Sequence, residues 1–545
     1  MQRRLPAVTD WNFADVWETV AETVPDGLAA IHGERRLTWA DTERRANGVA
    51  NALLELGVAR QDKVAHYLYN GPEYMESTFA ILKAGLVPVN TNYRYTDDEL
   101  VYLWDNADAV AVIFHGAFSE RIAGLRARVP LVRAWLWVDD GTDECPPWAT
   151  AYESAAESGA QRPTRPWPRT GDDLYLLYTG GTTGLPKGVM WRQDDLFAKL
   201  NSGNLLRVPE DGGTDGVRRT LVGSGPRHLP ACPLMHGTGG FTSMAALSVG
   251  GCVVTLTGRT FDPIELLDTI DRDNVNTVAI VGDAFAKPIL RALDDHPGRW
   301  RLSTLLAFVS SGVMWSEETK RGVLHHHPSL MLIDAFSSSE ALGMGTSVSS
   351  GTAAEHTAHF ALSPDVRVLD PDSDKDVTPG SGEVGVLAIG GRNPVGYYKD
   401  PAKSASTFKN IDGVRYSVPG DFATVDTDGA IQLLGRGSVV INTGGEKVFP
   451  EEVEEVLKLH PAVSDAVAVG IPDDRFGQVV AAVVELRPGA SATEAELVEH
   501  VRARLAAFKA PKRVRFVATI GRSPAGKVDY ARHRAETAEW ASAPV

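Results

Sequence analysis

Eleven residues, Tyr178 to Gly188, constrain this chain more than any other stretch, and they read YTGGTTGLPKG. The run follows an apolar segment, Leu174 to Tyr178, so a strand delivers the chain into a glycine-rich loop. Glycines let backbone N–H groups approach a phosphate closely and permit positive φ. The hydroxyls of Thr179, Thr182 and Thr183 add donors, and Lys187 adds a point charge suited to a polyphosphate. The spacing is not that of a Walker A loop, in which Ser or Thr follows the lysine. Here Gly188 follows Lys187, and Val189-Met190-Trp191 reads as a strand rather than a helix. The residues by themselves leave two readings open: a phosphate cradle, or a surface hairpin with a solvated lysine.

Size and charge narrow the context. A chain of 545 residues is too long for one hydrophobic core, so two or more domains are expected. The net charge of −16 argues against nucleic acid or an anionic membrane as the main partner. Any bound phosphate must therefore meet local positive charge rather than a global field. Cys145, Cys232 and Cys252 form no CxxC pair, which argues against a disulfide framework or a zinc site and fits a reducing cytoplasm. No apolar run is long enough to span a bilayer. Arg3-Arg4 hints at a twin-arginine signal, but Asp10, Asn12 and Asp15 interrupt any apolar region behind it. A mature cytoplasmic N-terminus is the expectation.

Periodicity along the chain points to an α/β fold. Phe13 to Val24 has helical spacing, and a second helix beginning near Thr38 places Ala46, Val49, Ala50, Leu53 and Leu54 on one apolar face. Lys63 to Tyr69 reads as a strand, Tyr74 to Gly85 as a helix ended by its glycine, and Val87-Pro88-Val89 as the next strand. Strands alternating with helices at this spacing imply parallel-type sheets covered by helices. The stretch 162–170 reads as a connector, and 208–228, rich in Gly, Asp and Arg, as a surface excursion without periodicity. After about residue 450 the pattern restarts with a helix opened by Pro450, strands near 466–469 and 479–486, a helix over 493–506 and a strand over 514–517. A small α+β domain at the C-terminus is expected. The triplet His325-His326-His327 has adjacent spacing that suits a helix end better than a metal.

The segment Thr179 to Gly188 is similar, residue by residue, to the signature loop of the acyl-adenylate-forming superfamily, which contains acyl-CoA synthetases and luciferases. Further motifs follow in the order of that family. They are LKAGLVPVNTNYR (82–94), PLMHGTGG (233–240), Ser310-Ser311-Gly312, DAFSSSE (334–340), PGDFATVDTDG around Asp421, LLGRGS around Arg436 and RSPAGKVDY around Lys527. TGGTTGLPKGVMW, RNPVGYYKD and LGRGSVVINTGGEKVFPEEVE also resemble actinobacterial synthetases of long-chain or steroid side-chain acids.

The resemblance implies ATP, Mg²⁺ and coenzyme A as cofactors and a small-molecule carboxylic acid as partner. The charge and the lack of a long apolar run imply no nucleic acid and no integral membrane segment, and a homodimer is left open. Catalysis would fall to Lys527, His236, Thr182 and Lys187. Nucleotide contacts would come from Thr179, Gly180, Gly181, Thr182, Thr183, Gly184, Lys187, Ser311, Gly312, Asp334, Phe336, Ser339, Asp421, Arg436 and Lys527. Glu340 would hold Mg²⁺, and Thr443-Gly444-Gly445 would line the pantetheine tunnel. The implied domains are an ATP- and acyl-binding domain over 1–437 and a mobile lid over 438–545, with Ser438 as hinge.

Several positions depart from the family pattern. Phe336 stands where tyrosine is usual, Ser337 for glycine, Ser339 for threonine, Ser438 for aspartate or lysine, Asn442 for lysine and Asp529 for a basic residue. The implied reaction forms acyl-AMP and then acyl-CoA. Two rivals stand beside it: an acyl-AMP ligase that loads a separate carrier protein, and an inactive nucleotide-binding regulator, against which the presence of both Glu340 and Lys527 speaks. Met235, Phe241, Met244 and the stretch 278–281 suit an apolar acid pocket, though an ordinary core would look the same.

Overall fold

In the computed structural model, the described residues are 9–159, 161–179, 185–204, 206–221, 223–351, 353–443, 446–473, 476–523 and 526–542. Contacts divide the chain into two compact units. The first holds the residues up to Gly180, Leu185–Thr357 and Ile389–Ser417. The second is built from Ala358–Ala388 and Val418–Val545. This division falls upstream of the expected break at 437/438, because 358–388 and 418–437 group with the C-terminal residues.

The first unit contains two sheets. One runs, in spatial order, through Gly396–Tyr397, Lys187–Arg192, Leu174–Thr179, Val87–Asn90, Lys63–Tyr67, Ala109–His115, Ala134–Val138 and Thr150–Ala151. From Leu174–Thr179 onward every neighbour is parallel; Lys187–Arg192 and Gly396–Tyr397 are added antiparallel at one side. The other sheet takes Arg35–Thr38, Leu28–His32, Cys252–Thr255, Arg227–Pro230, Thr277–Ile280, Ala307–Ser310, Met331–Ser338 and Ala341–Ser349 in that order. Its interior pairs are parallel and its outermost pairs antiparallel.

Helices cover these sheets for reasons visible in the chain. Trp39–Glu55 starts at a reciprocal cap in which Thr38 and Asp41 each accept the other's backbone N–H. Its predicted apolar face is fully buried at Ala46, Val49, Ala50 and Leu53, and burying one such Val or Leu is worth roughly 1.5–3 kcal/mol. Pro72–Lys83 is buried along its whole length and stops before Gly85, whose φ of 72° is left-handed. Lys83, at 0% exposure, survives burial because Glu18 and Glu43 lie 2.7 and 2.8 Å from its ammonium. The segment read as an unstructured excursion contains a two-turn helix, Gly213–Thr220, seated by the buried Val217. The histidine triplet ends the helix Glu317–His326 as expected, with His326 on Asp294 and His327 on the Leu302 carbonyl.

In the second unit, Asp421–Val425 pairs antiparallel with Ile431–Arg436, which also pairs with His359–Leu362. A second sheet joins Glu446–Val448, Ile441–Thr443, Gly477–Leu486, Val463–Asp473 and Arg513–Val517. Helices Pro450–Lys458, Glu494–Arg502 and Tyr530–Ser542 complete it. The strand expected at 466–469 is longer, running Val463–Asp473, and the helix expected over 493–506 ends at Arg502. No helix among the described residues is long and apolar enough to cross a membrane.

Candidate active site

The strands Leu174–Thr179 and Lys187–Arg192 flank the glycine-rich segment, in antiparallel register from Tyr178↔Gly188 to Leu174↔Arg192. Gly188 is required by this pairing. A Cβ there would lie 2.7 Å from the Tyr178 ring, so the ring takes the space a side chain would occupy. Gly180, Gly181, Thr182, Thr183 and Gly184, all named above as phosphate contacts, lie outside the described residues. Thr179 and Lys187 close the base of the hairpin as cross-strand neighbours.

A residue that sequence reasoning passed over holds this hairpin to its surroundings. Asn90, 5% exposed, ends the strand Val87–Asn90. Its amide donates to the Tyr178 and Met235 carbonyls, each at 2.8 Å, and its oxygen accepts from the Tyr178 N–H at 2.6 Å. One buried side chain thus joins the phosphate-loop strand to the residue before His236. The signal was an asparagine closing an otherwise apolar strand, where a buried amide must find partners.

His236 sits half-buried at the N-terminus of the helix Gly237–Leu247. Its turn is set by its own N–H on the Pro233 carbonyl and by Asn70, which accepts from the Leu234 N–H at 2.8 Å. Thr238, two residues on, donates to the Ser311 carbonyl at 3.4 Å, bringing this loop to the end of Ala307–Ser310. There Gly312 takes a left-handed φ of 94°. Ser311 and Gly312 follow directly where the parallel pairing ends at Ser310 and Asp334.

The DAFSSSE motif forms the end of Met331–Ser338 and the turn into Ala341–Ser349. Phe336 is 8% exposed. Trp191 donates its indole N–H to the Ser339 carbonyl at 3.0 Å, and Ser417 donates to the Glu340 carbonyl at 2.7 Å. Asp334, expected to contact the nucleotide, is the register partner of Ser310. Its carboxylate is buried at 4% exposure and paired at 3.4 Å with Lys320, itself 0% exposed, so the side chain is committed to an internal ion pair. Burial pushes that carboxyl up to about 6, against the pull of the lysine. The alternation of the strand places Asp334 and Phe336 on one buried face.

Glu340 is half-buried, and its Oε1 accepts a hydrogen bond from the Tyr397 hydroxyl at 2.8 Å. Among the described residues no group of three or more His, Cys, Asp or Glu could form a metal cage. A single carboxylate fits Mg²⁺ that arrives on polyphosphate, because this hard ion keeps water and phosphate oxygens as most of its ligands. Lys187 extends above the Tyr397 ring at 5.8 Å and pairs with Asp400 at 3.0 Å.

In the second unit Asp421 and Arg436 are register partners, and the Arg436 Nε lies 3.2 Å from an Asp421 oxygen. Asp421 is 6% exposed while the Arg436 side chain is 40% exposed. This pairs a rigid acceptor with a reachable cation, the chemistry a ribose diol beside a phosphate requires. Gly437–Val439 is a 3₁₀ turn containing Ser438, and Thr443 ends the next strand; Gly444 and Gly445 lie outside the described residues. Lys527 is exposed on a turn in which its carbonyl accepts from the Ser523 N–H at 2.8 Å. Arg522 braces that turn, donating to the Gly526 carbonyl and to both oxygens of Asp465. Asp529, where the family favours a basic residue, accepts from the Arg532 N–H and caps the last helix.

These features define an enzyme of the adenylate-forming kind, and comparison with known proteins agrees. The chain belongs to the AMP-binding enzyme family, whose model matches residues 17–398, with the AMP-binding enzyme C-terminal domain at 452–527. It is 41% identical over 526 residues to a medium/long-chain-fatty-acid–CoA/3-oxocholest-4-en-26-oate–CoA ligase of Mycolicibacterium smegmatis, covering 95% of each chain. It is 40% identical over 527 residues to a 3-oxocholest-4-en-26-oate–CoA ligase of Rhodococcus rhodochrous, covering 95% of this chain and 94% of that one. The fold matches that of the anthranilate CoA ligase AuaEII in complex with anthranoyl-AMP, with a TM-score of 0.83, 23% identity and coverage of 98% and 99%.

Proposed function

We propose that this protein is an ATP-dependent acyl-CoA ligase for large apolar carboxylic acids, either long-chain fatty acids or steroid side-chain acids. One observation carries the reading: 41% identity along 95% of the chain to a CoA ligase named for both kinds of acid. In the first half-reaction a carboxylate oxygen of the acid attacks the α-phosphorus of ATP, the bond to the β-phosphate oxygen breaks, and pyrophosphate leaves. In the second, the thiol sulfur of coenzyme A attacks the acyl carbon, the bond to AMP breaks, and the thiol proton is released. There is little covalent work for side chains in such a reaction, so catalysis rests on positioning and electrostatics.

The family resemblance suggests the roles, and the placement of the described residues supports them. Lys187, Thr179, Thr182 and the loop glycines would bind the β- and γ-phosphates. Glu340 would hold Mg²⁺, which would supply positive charge against that of pyrophosphate. Phe336 packs on adenine beside Ser311 and Gly312, while Asp421 and Arg436 hold ribose. His236 lines the acid carboxylate. Lys527 stabilises charge on the five-coordinate phosphorus. Residues from 438 onward act as a lid that turns about Ser438 and presents Thr443-Gly444-Gly445 to pantetheine. The 3₁₀ turn at 437–439 between two strands supports a pivot there. The acidic charge and three unpaired cysteines support a cytoplasmic enzyme; a homodimer is the assembly to test by light scattering.

The deciding experiment measures pyrophosphate release with a long-chain fatty acid, a cholestenoate-type acid, acetate and benzoate, then product formation with coenzyme A or a carrier protein. The large acids should exceed acetate by orders of magnitude in kcat/KM, since each buried methylene contributes about 0.8 kcal/mol. Equal use of acetate, or acyl transfer to the carrier alone, would overturn the proposal.

A further inference from the structure

Tyr397 belongs to none of the roles above, yet it touches two of the groups that carry them. Its strand, Gly396–Tyr397, is added to the sheet at the phosphate hairpin, with Tyr397 opposite Val189 and the Tyr398 N–H on the Gly188 carbonyl. The residue is therefore registered against the strand that begins with Lys187. Its N–H donates to Ser404 Oγ at 2.8 Å, and its ring leans on Phe408 at 5.8 Å, so main chain and ring are both held from below. At 6% exposure the ring is fixed inside the protein. From that fixed base the hydroxyl donates to Glu340 Oε1 at 2.8 Å, while Lys187 Nζ stands 5.8 Å from the ring centre.

A carboxylate on a turn has several rotamers, and a lone glutamate ligand loses affinity in proportion to the freedom it must give up. A phenol is a neutral donor. It takes one lone pair of Oε1, leaves Oε2 for a cation and adds no competing positive charge. The backbone of Glu340 is tethered separately, through Ser417 on its carbonyl. We infer that Tyr397 is a positioning residue for the metal site: it fixes the Glu340 carboxylate for Mg²⁺ and ties that aim to the strand carrying Lys187. The inference rests on the proposal that Glu340 holds the metal. Hydrogen-bond partners of this kind typically change metal affinity 10- to 100-fold.

The test uses the whole chain with ATP and no acid, so that no turnover occurs. Mn²⁺ is titrated as a spectroscopic stand-in and its free fraction read by electron paramagnetic resonance for wild type, Glu340→Gln and Tyr397→Phe. ATP binding is measured in parallel in EDTA. Tyr397→Phe should weaken Mn²⁺ about tenfold while leaving metal-free ATP binding within about twofold. Glu340→Gln should weaken Mn²⁺ at least as much. If Glu340→Gln weakens the metal but Tyr397→Phe does not, the inference falls and the metal assignment stands. If neither does, the assignment of Glu340 fails and takes the inference with it. Parallel loss of metal-free ATP binding in Tyr397→Phe would also overturn it, since that is the signature of a disturbed pocket rather than a misaimed ligand.

Discussion

Glu451 stands where the side chain of residue 435 would be. A Cβ on Gly435 would fall 2.2 Å from Glu451 Oε2, and Gly435 itself has a φ of 119°. The Arg436 N–H bonds the same carboxylate. The first turn of the helix Pro450–Lys458 is thus pressed onto the main chain of the strand that carries Arg436.

This contact predicts the effect of Gly435→Ala. The new methyl meets the carboxylate and the backbone has left the region open to L-residues, so both terms destabilise. Melting should drop by several degrees, and Gly435→Ala/Glu451→Ala should recover part of it because only the steric term is relieved. No loss in the single variant would contradict the contact.

Glu451 also predicts a pH dependence. Burial first, and the neighbouring Glu454 second, push its carboxyl up to about 8 from an ordinary value of 4.5. A raised acid holds its proton in the fold where the unfolded chain has lost it, so stability falls as pH climbs from about 4.5 and levels off near 8. Tyr530 donates to Glu454 at 3.0 Å, and burial likewise raises Glu454, so the pair resists carrying two charges. Glu451→Gln should flatten the melting-temperature profile across that window and gain most at pH 8. An unchanged slope would show that Glu451 is ionised in the fold.

Asn90 predicts a coupled loss. Asn90→Asp keeps the acceptor for the Tyr178 N–H but turns a carboxylate toward two carbonyls that had been receiving N–H donors. A group left buried without its partner costs about 1–3 kcal/mol. The variant should melt lower and show a raised KM for ATP, read by pyrophosphate release at varied ATP. A lowered melt with unchanged KM would separate Asn90 from the phosphate loop.

The proposed lid predicts a split between half-reactions. Lys527→Ala should cripple acyl-AMP formation but spare thioester formation from supplied acyl-AMP. Ser438→Pro fixes φ near −65° and removes an N–H, so it should slow thioester formation more than adenylation. Rapid-quench measurement of both steps in both variants checks this. Equal losses in each would leave the alternating lid unsupported.

Much of this was legible in the chain, and what was not has a physical reason. The helix at Trp39–Glu55 showed itself because its buried residues repeat at helical spacing, and the hairpin around Lys187 because glycine, threonine and proline punctuate it. The helix Gly213–Thr220 was invisible: one apolar residue, Val217, seats it, and glycine-rich composition gives no propensity signal. Asp334 was read by motif position, and the burial of its carboxylate on the face shared with Phe336 is a matter of strand parity that the motif does not record. Asn90, Trp191 and Tyr397 were missed because each meets a group distant in sequence, which no local pattern records.

The bond from Trp191 to residue 339 ends on a carbonyl, and so does each bond that Asn90 donates. Main-chain acceptors are the same whatever side chain sits above them. The bond that Trp191 donates therefore survives a change of side chain at residue 339. The serine at 339, where the family pattern has threonine, leaves that support in place. For an engineer the consequence is practical: residue 339 can be varied with Trp191 left untouched, whereas Tyr178, whose ring fills the space beside Gly188, cannot.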